Sequence, residues 1–202
     1  MICLYSALID PLLRDIRIFT PRFSGMKKGD RILDICCGTG DQVFYYERIG
    51  AIVAGIDLNP KMIGMAQKWQ RKYGSENSYF QAADATDLPF EDLVFDFTSI
   101  SLALHEIERD KRNRVISEMK RVTKKDGFLI FIDFQVPLPK KLISYFIKAI
   151  EYSAGKDHYQ GFKSYLQEGG LPVLLAKNKL KAEKVDYLKG GIIMIVKAKN
   201  LL

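Results

Sequence analysis

Cysteine is scarce in this 202-residue chain. There are three, and an odd count with two of them adjacent (Cys36 and Cys37, with Cys3 apart) is no disulfide framework. Reduced thiols in a cytoplasmic protein are the expectation. No CxxC or HxxxH spacing marks a metal site, so no metal is expected. Long apolar runs are missing too. The longest, 127–136, carries Asp133 and falls well short of the roughly 18–20 residues of a membrane span. The stretch 1–18 is apolar but has neither a basic start nor a small-residue cleavage site, so it does not read as a signal peptide. There is no internal repeat, no flexible linker, no GxGxxG dinucleotide fingerprint and no P-loop lysine.

What is present is the balance of a soluble globular protein: 48% apolar residues, 27% charged, and a mean hydropathy of −0.07. Disorder would need few apolar residues and a high net charge. The length suits one domain that buries about 70% of its unfolded surface without staples. A net charge of +7 leaves attraction to something anionic open.

Strand and helix patterns alternate over the first two thirds. Apolar runs at 31–35, 51–56, 78–82, 94–100 and 128–134 read as strands, with helical stretches at 41–49, 60–73 and 111–123. Asn59–Pro60 is a favoured cap and first position, and Gly74 ends that helix. A Lys-Lys-Asp-Gly turn precedes the fifth strand, and Pro137 and Pro139 stop it. Such alternation predicts an α/β, doubly wound, mostly parallel sheet. From Lys140 the pattern changes to an amphipathic helix over 140–153, then a mixed aromatic stretch. Runs at 180–188 and 192–199 around Gly190–Gly191 then read as an antiparallel hairpin.

The strongest constellation is Asp34-Ile35-Cys36-Cys37-Gly38-Thr39-Gly40-Asp41, closing the first strand. Small residues there let a ligand approach the backbone. Ligands of open α/β sheets bind at the carboxyl ends of strands, where strand order reverses. Asp57 closes the second strand and suits the two hydroxyls of a ribose. Asp84, followed by Ala85, comes after the third strand and could accept from the exocyclic amine of a base. Each acid alone reads equally as a loop or helix-start residue. Three of them after three successive strands point to one crevice. No phosphate-binding feature accompanies them, so a ligand with ribose and base but no phosphate fits.

Five segments carry a resemblance. They are Ile32-Leu33-Asp34-Ile35-Cys36-Cys37-Gly38-Thr39-Gly40-Asp41, Gly55-Ile56-Asp57-Leu58-Asn59-Pro60-Lys61-Met62, Ala82-Ala83-Asp84-Ala85-Thr86-Asp87-Leu88-Pro89-Phe90, residues 95–105 from Phe95 to His105, and residues 121–127 from Arg121 to Gly127. On these the chain resembles the class I S-adenosylmethionine-dependent methyltransferases, in the small-molecule group that holds the quinone-biosynthesis C-methyltransferases. The resemblance covers residues 30–134. It implies a Rossmann-like seven-stranded sheet, with its one antiparallel strand inserted between the fifth and sixth. It implies S-adenosylmethionine as cofactor and S-adenosylhomocysteine as product. Asp34 and the loop Cys36–Gly40 (with Cys37, Gly38 and Thr39) would face the methionine part, and Asp57 the ribose. Leu58 and Met62 would pack by the adenine, Asp84 would meet its amine and Ala85 its ring edge. Ile100 and Ser101 would line the methionine. Cys36 stands where a glycine is common. One methyltransferase domain over 1–202 is expected, with an N-terminal helical segment 1–23, a cofactor core 30–134, a substrate lid 137–176 and a hairpin 180–199.

Methyl transfer from a sulfonium needs proximity and orientation above all. It needs a general base only where the acceptor must lose a proton. His105, after the fourth strand, is the candidate base, and its alternative reading is a packing histidine. His158 is a second candidate, and Asp133 reads as structural. Tyr145, Phe146, Tyr152, Tyr159, Phe162 and Tyr165 make the lid aromatic, which suits a flat or lipophilic, quinone-like acceptor or plain packing. Lys140, Lys141 and Lys148 on the amphipathic helix would also suit an anionic membrane surface. The alternatives are an RNA-directed methyltransferase and a non-catalytic S-adenosylmethionine-binding protein. RNA is disfavoured because the basic residues are dispersed and the Asn/Asp-Pro-Pro-aromatic loop is missing. DNA is not expected as a partner, and nothing in the chain specifies an oligomeric state.

Overall fold

A computed structural model describes residues 2–73 and 76–201, with side chains from Leu13 onward. Gly74, expected to end a helix, and the side chain of Cys3 lie outside them. The elements run α1 (Ile2–Ser24), β1 (Arg31–Ile35), α2 (Asp41–Glu47), β2 (Ile52–Asp57), α3 (Pro60–Tyr73), β3 (Ser78–Ala82), β4 (Phe95–Ser101), α4 (Arg112–Val122), β5 (Thr123–Phe134), α5 (Leu142–Ser153), α6 (Lys156–Glu168), α7 (Gly170–Lys177), β6 (Ala182–Leu188) and β7 (Ile193–Lys199).

The seven strands stand in the order β3-β2-β1-β4-β5-β7-β6. The first five pair in parallel, and β7 lies antiparallel between β5 and β6. The expected doubly wound sheet with an inserted antiparallel strand is present. The central strands are apolar on both faces because helices cover both, and Ile32, Leu33, Leu129 and Ile130 are wholly buried. The outer strand β6 is exposed along its length, and Glu183, Lys184 and Asp186 keep that edge from pairing with another chain.

Local chemistry explains the turns. Asn59 caps α3: its Oδ1 accepts from the Lys61 N–H at 3.0 Å, with Pro60 as the first helical residue. The expected turn before the fifth strand is instead a bulge inside β5. Phe95 and Phe97 of β4 face Thr123 and Phe128, so the extra residues of β5 are looped out, with Asp126 at φ 65. A side chain at Gly127 would strike the Asp96 carbonyl at 2.8 Å. Asn200 pins the bulge, its Nδ2 donating to the carbonyls of Lys120 and Thr123. No helix among the described residues is long and apolar enough to cross a membrane.

Strand order reverses between β1 and β4. The chain leaving β1 turns to β2 and the chain leaving β4 turns to β5, so a crevice opens at their carboxyl ends.

Candidate active site

That crevice is a cleft of about 210 Å³ lined by Asp34, Cys36, Cys37, Gly38, Thr39, Asp41 and Gln42 after β1, by Met62 of α3, by Ser101, Leu102 and Glu106 after β4, and by Leu13, Ile16 and Arg17 of α1. The loop enters the left-handed region at Cys36 (φ 56), Gly38 (φ 55) and Gly40 (φ 82). The glycines serve opposite ends. A Cβ built on Gly38 meets nothing within 4 Å, so this backbone faces open space. A Cβ on Gly40 would come within 2.7 Å of the Phe80 ring, so α2 starts against the core only because that position is bare. Burial and the neighbouring acids raise both loop thiols above their usual range, so Cys36 and Cys37 are small neutral groups and not nucleophiles.

The three acids differ. Asp34 is buried, and its Oδ1 accepts from the Ser99 hydroxyl at 2.5 Å. Burial pushes its carboxyl up to about 7. Asp57 braces the loop: Oδ2 accepts from the Gly38 N–H at 2.9 Å and Oδ1 from the Asn59 N–H at 2.8 Å. Leu58 beside it is 72% exposed, an apolar surface left uncovered at the cleft's outer end. Asp84 is exposed, with Oδ1 taken by the Thr86 N–H and hydroxyl at 2.8 Å, and it does not line the cleft. Ala85 is buried.

A second cavity, of about 400 Å³, adjoins the first, and Leu13 and Leu102 line both. Its walls are apolar: Phe134 of β5, Ile192 and Ile193 at β7, and Ile143, Ile147 and Ile150 of α5. Its polar lining is His105, Glu151 and Lys189. His105 is 2% exposed. Its Nδ1 lies 2.7 Å from Asp133 Oδ1, and its backbone N–H donates to Asp133 Oδ2 at 3.1 Å. Burial works to lower the His105 pKa, but Asp133, then Glu106 and Glu151, outweigh it and leave it raised. His158 stands between Glu106 (2.9 Å) and Glu151 (3.0 Å), which push its pKa up to about 10.

Arg112 of α4, wholly buried, ties α6 to the chain after β4. It donates to the Leu104 and Gly161 carbonyls (2.9 and 2.7 Å) and to Glu168 (2.8 Å). Gly161 lets α6 lie directly on the backbone of residues 105 and 106, where any side chain would collide with the Glu106 carbonyl. Of the residues singled out by sequence spacing, Asp34, Cys36, Cys37, Gly38, Thr39, Met62 and Ser101 line this one cleft, and Asp57, Leu58, Asp84 and Ala85 stand off its lining. Gly40 caps α2, and Ile100 packs in the core, because successive strand residues face opposite sides and Ser101 takes the cleft side. The lid aromatics divide: Phe162 and Tyr165 are buried core, while Tyr145, Phe146 and Tyr152 are exposed. The pocket wall is isoleucine, at the i, i+4, i+7 spacing of 143, 147 and 150, which is the signal that could have found it. Arg17, Glu106 and Glu151 carry no such signal.

Comparison with known proteins agrees with this arrangement. Residues 33–131 match the family described as "Methyltransferase domain". The chain is 32% identical over 143 residues to a demethylmenaquinone methyltransferase of Clavibacter sepedonicus, covering 69% of this chain and 57% of that protein. It is 33% identical over 128 residues to a ubiquinone/menaquinone biosynthesis C-methyltransferase, UbiE, of Pectobacterium carotovorum, covering 61% and 50%. The chain spans about half the length of the curated relatives it matches. Its fold is that of a SAM-dependent methyltransferase crystal structure from Aquifex aeolicus, with TM-score 0.68 and 20% identity over 91% of this chain and 88% of that one. Over residues 33–131 the chain is similar to the methyltransferase-domain family, and in sequence it is similar to quinone-biosynthesis C-methyltransferases.

Proposed function

We propose that this chain transfers a methyl group from S-adenosylmethionine to a small, largely apolar acceptor bearing an ionisable group, such as a quinone-like ring. The observation that carries the reading is the pair of adjoining cavities. One has open backbone, acids and Arg17 among its walls, and the other is almost wholly apolar with one buried histidine at its wall.

The first cavity suits the cofactor on its own chemistry. Gly38 presents open backbone, Asp57 keeps unused acceptor capacity beside that loop, and Leu58 offers an uncovered apolar surface for a base. Arg17 and Asp34 bring opposite charges to the end where a methionine carboxylate and ammonium would lie. The relatives' names, the chain's match to their family and these features support the assignment. When bound, the cofactor supplies an activated methyl group with its own leaving group. The chain's residues do the rest. Leu13 and Leu102 form the shared wall across which the reacting atoms must meet. Residues 137–176 act as the lid of a single methyltransferase unit, and their isoleucines exclude water. His105 is the catalytic side chain: with Nδ1 bonded to Asp133, Nε2 is the nitrogen that readies the acceptor by bringing about loss of its proton.

The test is to incubate the protein with methyl-labelled S-adenosylmethionine and a fractionated cell extract. Label is expected in the lipid fraction and absent with Asp57→Ala, whose cofactor affinity by calorimetry should fall at least tenfold. Label in RNA would move the chain to an RNA-directed enzyme. Cofactor binding with label in no fraction would make it a non-catalytic binding protein.

A further inference from the structure

The two histidines share the same two carboxylate oxygens. Glu106 Oε1 lies 3.6 Å from His105 Nε2 and 2.9 Å from His158 Nε2. Glu151 Oε2 lies 3.7 Å from His105 Nε2 and 3.0 Å from His158 Nδ1. Both oxygens are nearer to His158, one at each of its ring nitrogens. A lone pair on either nitrogen would face an anion at contact distance, so both carry protons and His158 is an imidazolium. The Glu151 contact is an ion pair and not a straight hydrogen bond, for neither atom has a hydrogen-bond partner. Glu151 is buried on α5, and the charge of His158 is what makes its burial tolerable.

His105 sees the other side of these carboxylates. Its Nδ1 faces Asp133 of β5 at 2.7 Å, so the Nε2 lone pair of the neutral ring lies toward Glu106 and Glu151. Three uncompensated carboxylates would hold a proton on that nitrogen and abolish it as a base near neutral pH. The other ionisable groups nearby are already spoken for. Arg112 of α4 pairs with Glu168, Lys189 pairs with Asp15 of α1, and Tyr165 of α6 stays neutral because burial raises its hydroxyl. His158 of α6, its ring centroid 6.1 Å from that of His105, is the cation that offsets them.

We infer that His158 is a positioning residue for methyl transfer: its imidazolium bridges Glu106 and Glu151, draws their charge away from His105, and keeps His105 Nε2 free to take the acceptor's proton. This rests on the role proposed for His105. In that step the acceptor's bond to hydrogen breaks, its electron pair stays on the acceptor atom, and the Nε2 lone pair forms the new N–H bond. The fold fixes the bridge. Gly161, about one turn along α6 from His158, lets the helix lie on the backbone of residues 105 and 106, and Arg112 holds the Gly161 carbonyl at 2.7 Å. The bridge also joins the two cavities, since Glu106 lines the cofactor cleft and Glu151 the acceptor pocket.

The chain has only two histidines, so isotope labelling at histidine Cε1 gives two NMR signals, and the one that survives in His158→Gln is His105. The wild-type His158 signal should titrate at about 10, a reading that needs no variant. A His158 ring already neutral at physiological pH overturns the bridge. In His158→Gln the His105 midpoint should rise by about one to two pH units, the effect of losing a charge at this separation. Glu151→Gln should lower it by a similar amount, and the double variant should return it toward wild type. With labelled S-adenosylmethionine and the lipid fraction that accepts it, the acidic limb of kcat/KM against pH should move up in His158→Gln by the same interval, with activity recovering above it. Cofactor affinity by calorimetry should hold, which shows that the variant folds. An unchanged His105 midpoint in His158→Gln overturns the inference. A midpoint that moves while the acidic limb stays put overturns the part of His158 in transfer. A midpoint that moves in a protein that transfers no methyl group keeps the coupling of the two rings and refutes the methyltransferase reading.

Discussion

The two cavities meet at Leu13 and Leu102 but are built differently. The cofactor cleft is made by a loop and strand ends, with backbone groups and short side chains held against an apolar sheet. The acceptor pocket is made mostly by side chains of β5, α5 and the β6–β7 hairpin, with Leu13, Leu102 and His105 completing its wall. A cleft of the first kind recognises a constant ligand, because backbone positions vary little with side-chain identity. A pocket of the second kind can change its occupant with a few substitutions on one helix. The comparison predicts that cleft changes disturb fold and cofactor together, while pocket changes can be separated from both.

Arg112→Met gives the largest expected loss, because it cuts the tie of α6 to the chain after β4. It leaves the buried Leu104 and Gly161 carbonyls without their donor, at about 1–3 kcal/mol each, while Glu168 keeps Arg109 and Lys177 as partners. Urea unfolding should show that loss. A variant within about 1 kcal/mol of wild type would mean that the lid does not depend on this tie. Next is Gly40→Ala. A left-handed alanine costs about 1–2 kcal/mol, and contact with Phe80 at 2.7 Å adds overpacking of a similar size. Thermal unfolding and cofactor calorimetry should fall together. Retained cofactor affinity would separate what the cleft is said to couple.

Asp34→Asn is smaller and depends on pH. The folded carboxyl at about 7 lies above its unfolded value near 4, so the native state holds the proton more tightly. The stability this contributes is full below pH 4 and is lost as pH rises through 7. Asparagine keeps a carbonyl for Ser99 and has no charge to bury. Wild type should lose about 1–3 kcal/mol more than the variant between pH 4.5 and 7.5. Equal urea midpoints across that range would show that the buried carboxyl is not the source.

The two regions also differ in how far the sequence shows them. Most of the cleft's residues come from short contiguous segments after β1 and β4, so spacing alone brings Asp34, Gly38 and Ser101 to one lining. The outward turn of Asp84 and the inward turn of Ile100 are not legible in spacing, because a loop's own hydrogen bonds and a strand's facing decide them. The His105 cluster draws on positions 105, 106, 133, 151 and 158, brought together by the sheet and by α6 lying on residues 105 and 106 at Gly161. No short-range spacing encodes that. The β5 bulge was likewise hidden, since Lys-Lys-Asp-Gly reads as a turn until Asn200 is seen to pin it inside the strand.

The smallest effect is the sharpest test of the pocket. Phe146 and Ile147 are neighbours on α5, but Phe146 is 58% exposed while Ile147 is half-buried and lines the pocket. Phe146→Ala should change stability by less than about 0.5 kcal/mol and leave the KM for the labelled lipid acceptor unchanged. Ile147→Ala should cost about 1 kcal/mol and raise that KM several-fold, with cofactor affinity unchanged. The opposite pattern would move the acceptor to the outer face of α5. There Leu142 and Phe146, with Lys140, Lys141 and Lys148 close in sequence, would act as a surface for an anionic membrane that delivers it. Sedimentation with phosphatidylglycerol vesicles separates the two cases, since only a membrane-docking face makes Phe146→Ala release the protein from the pellet.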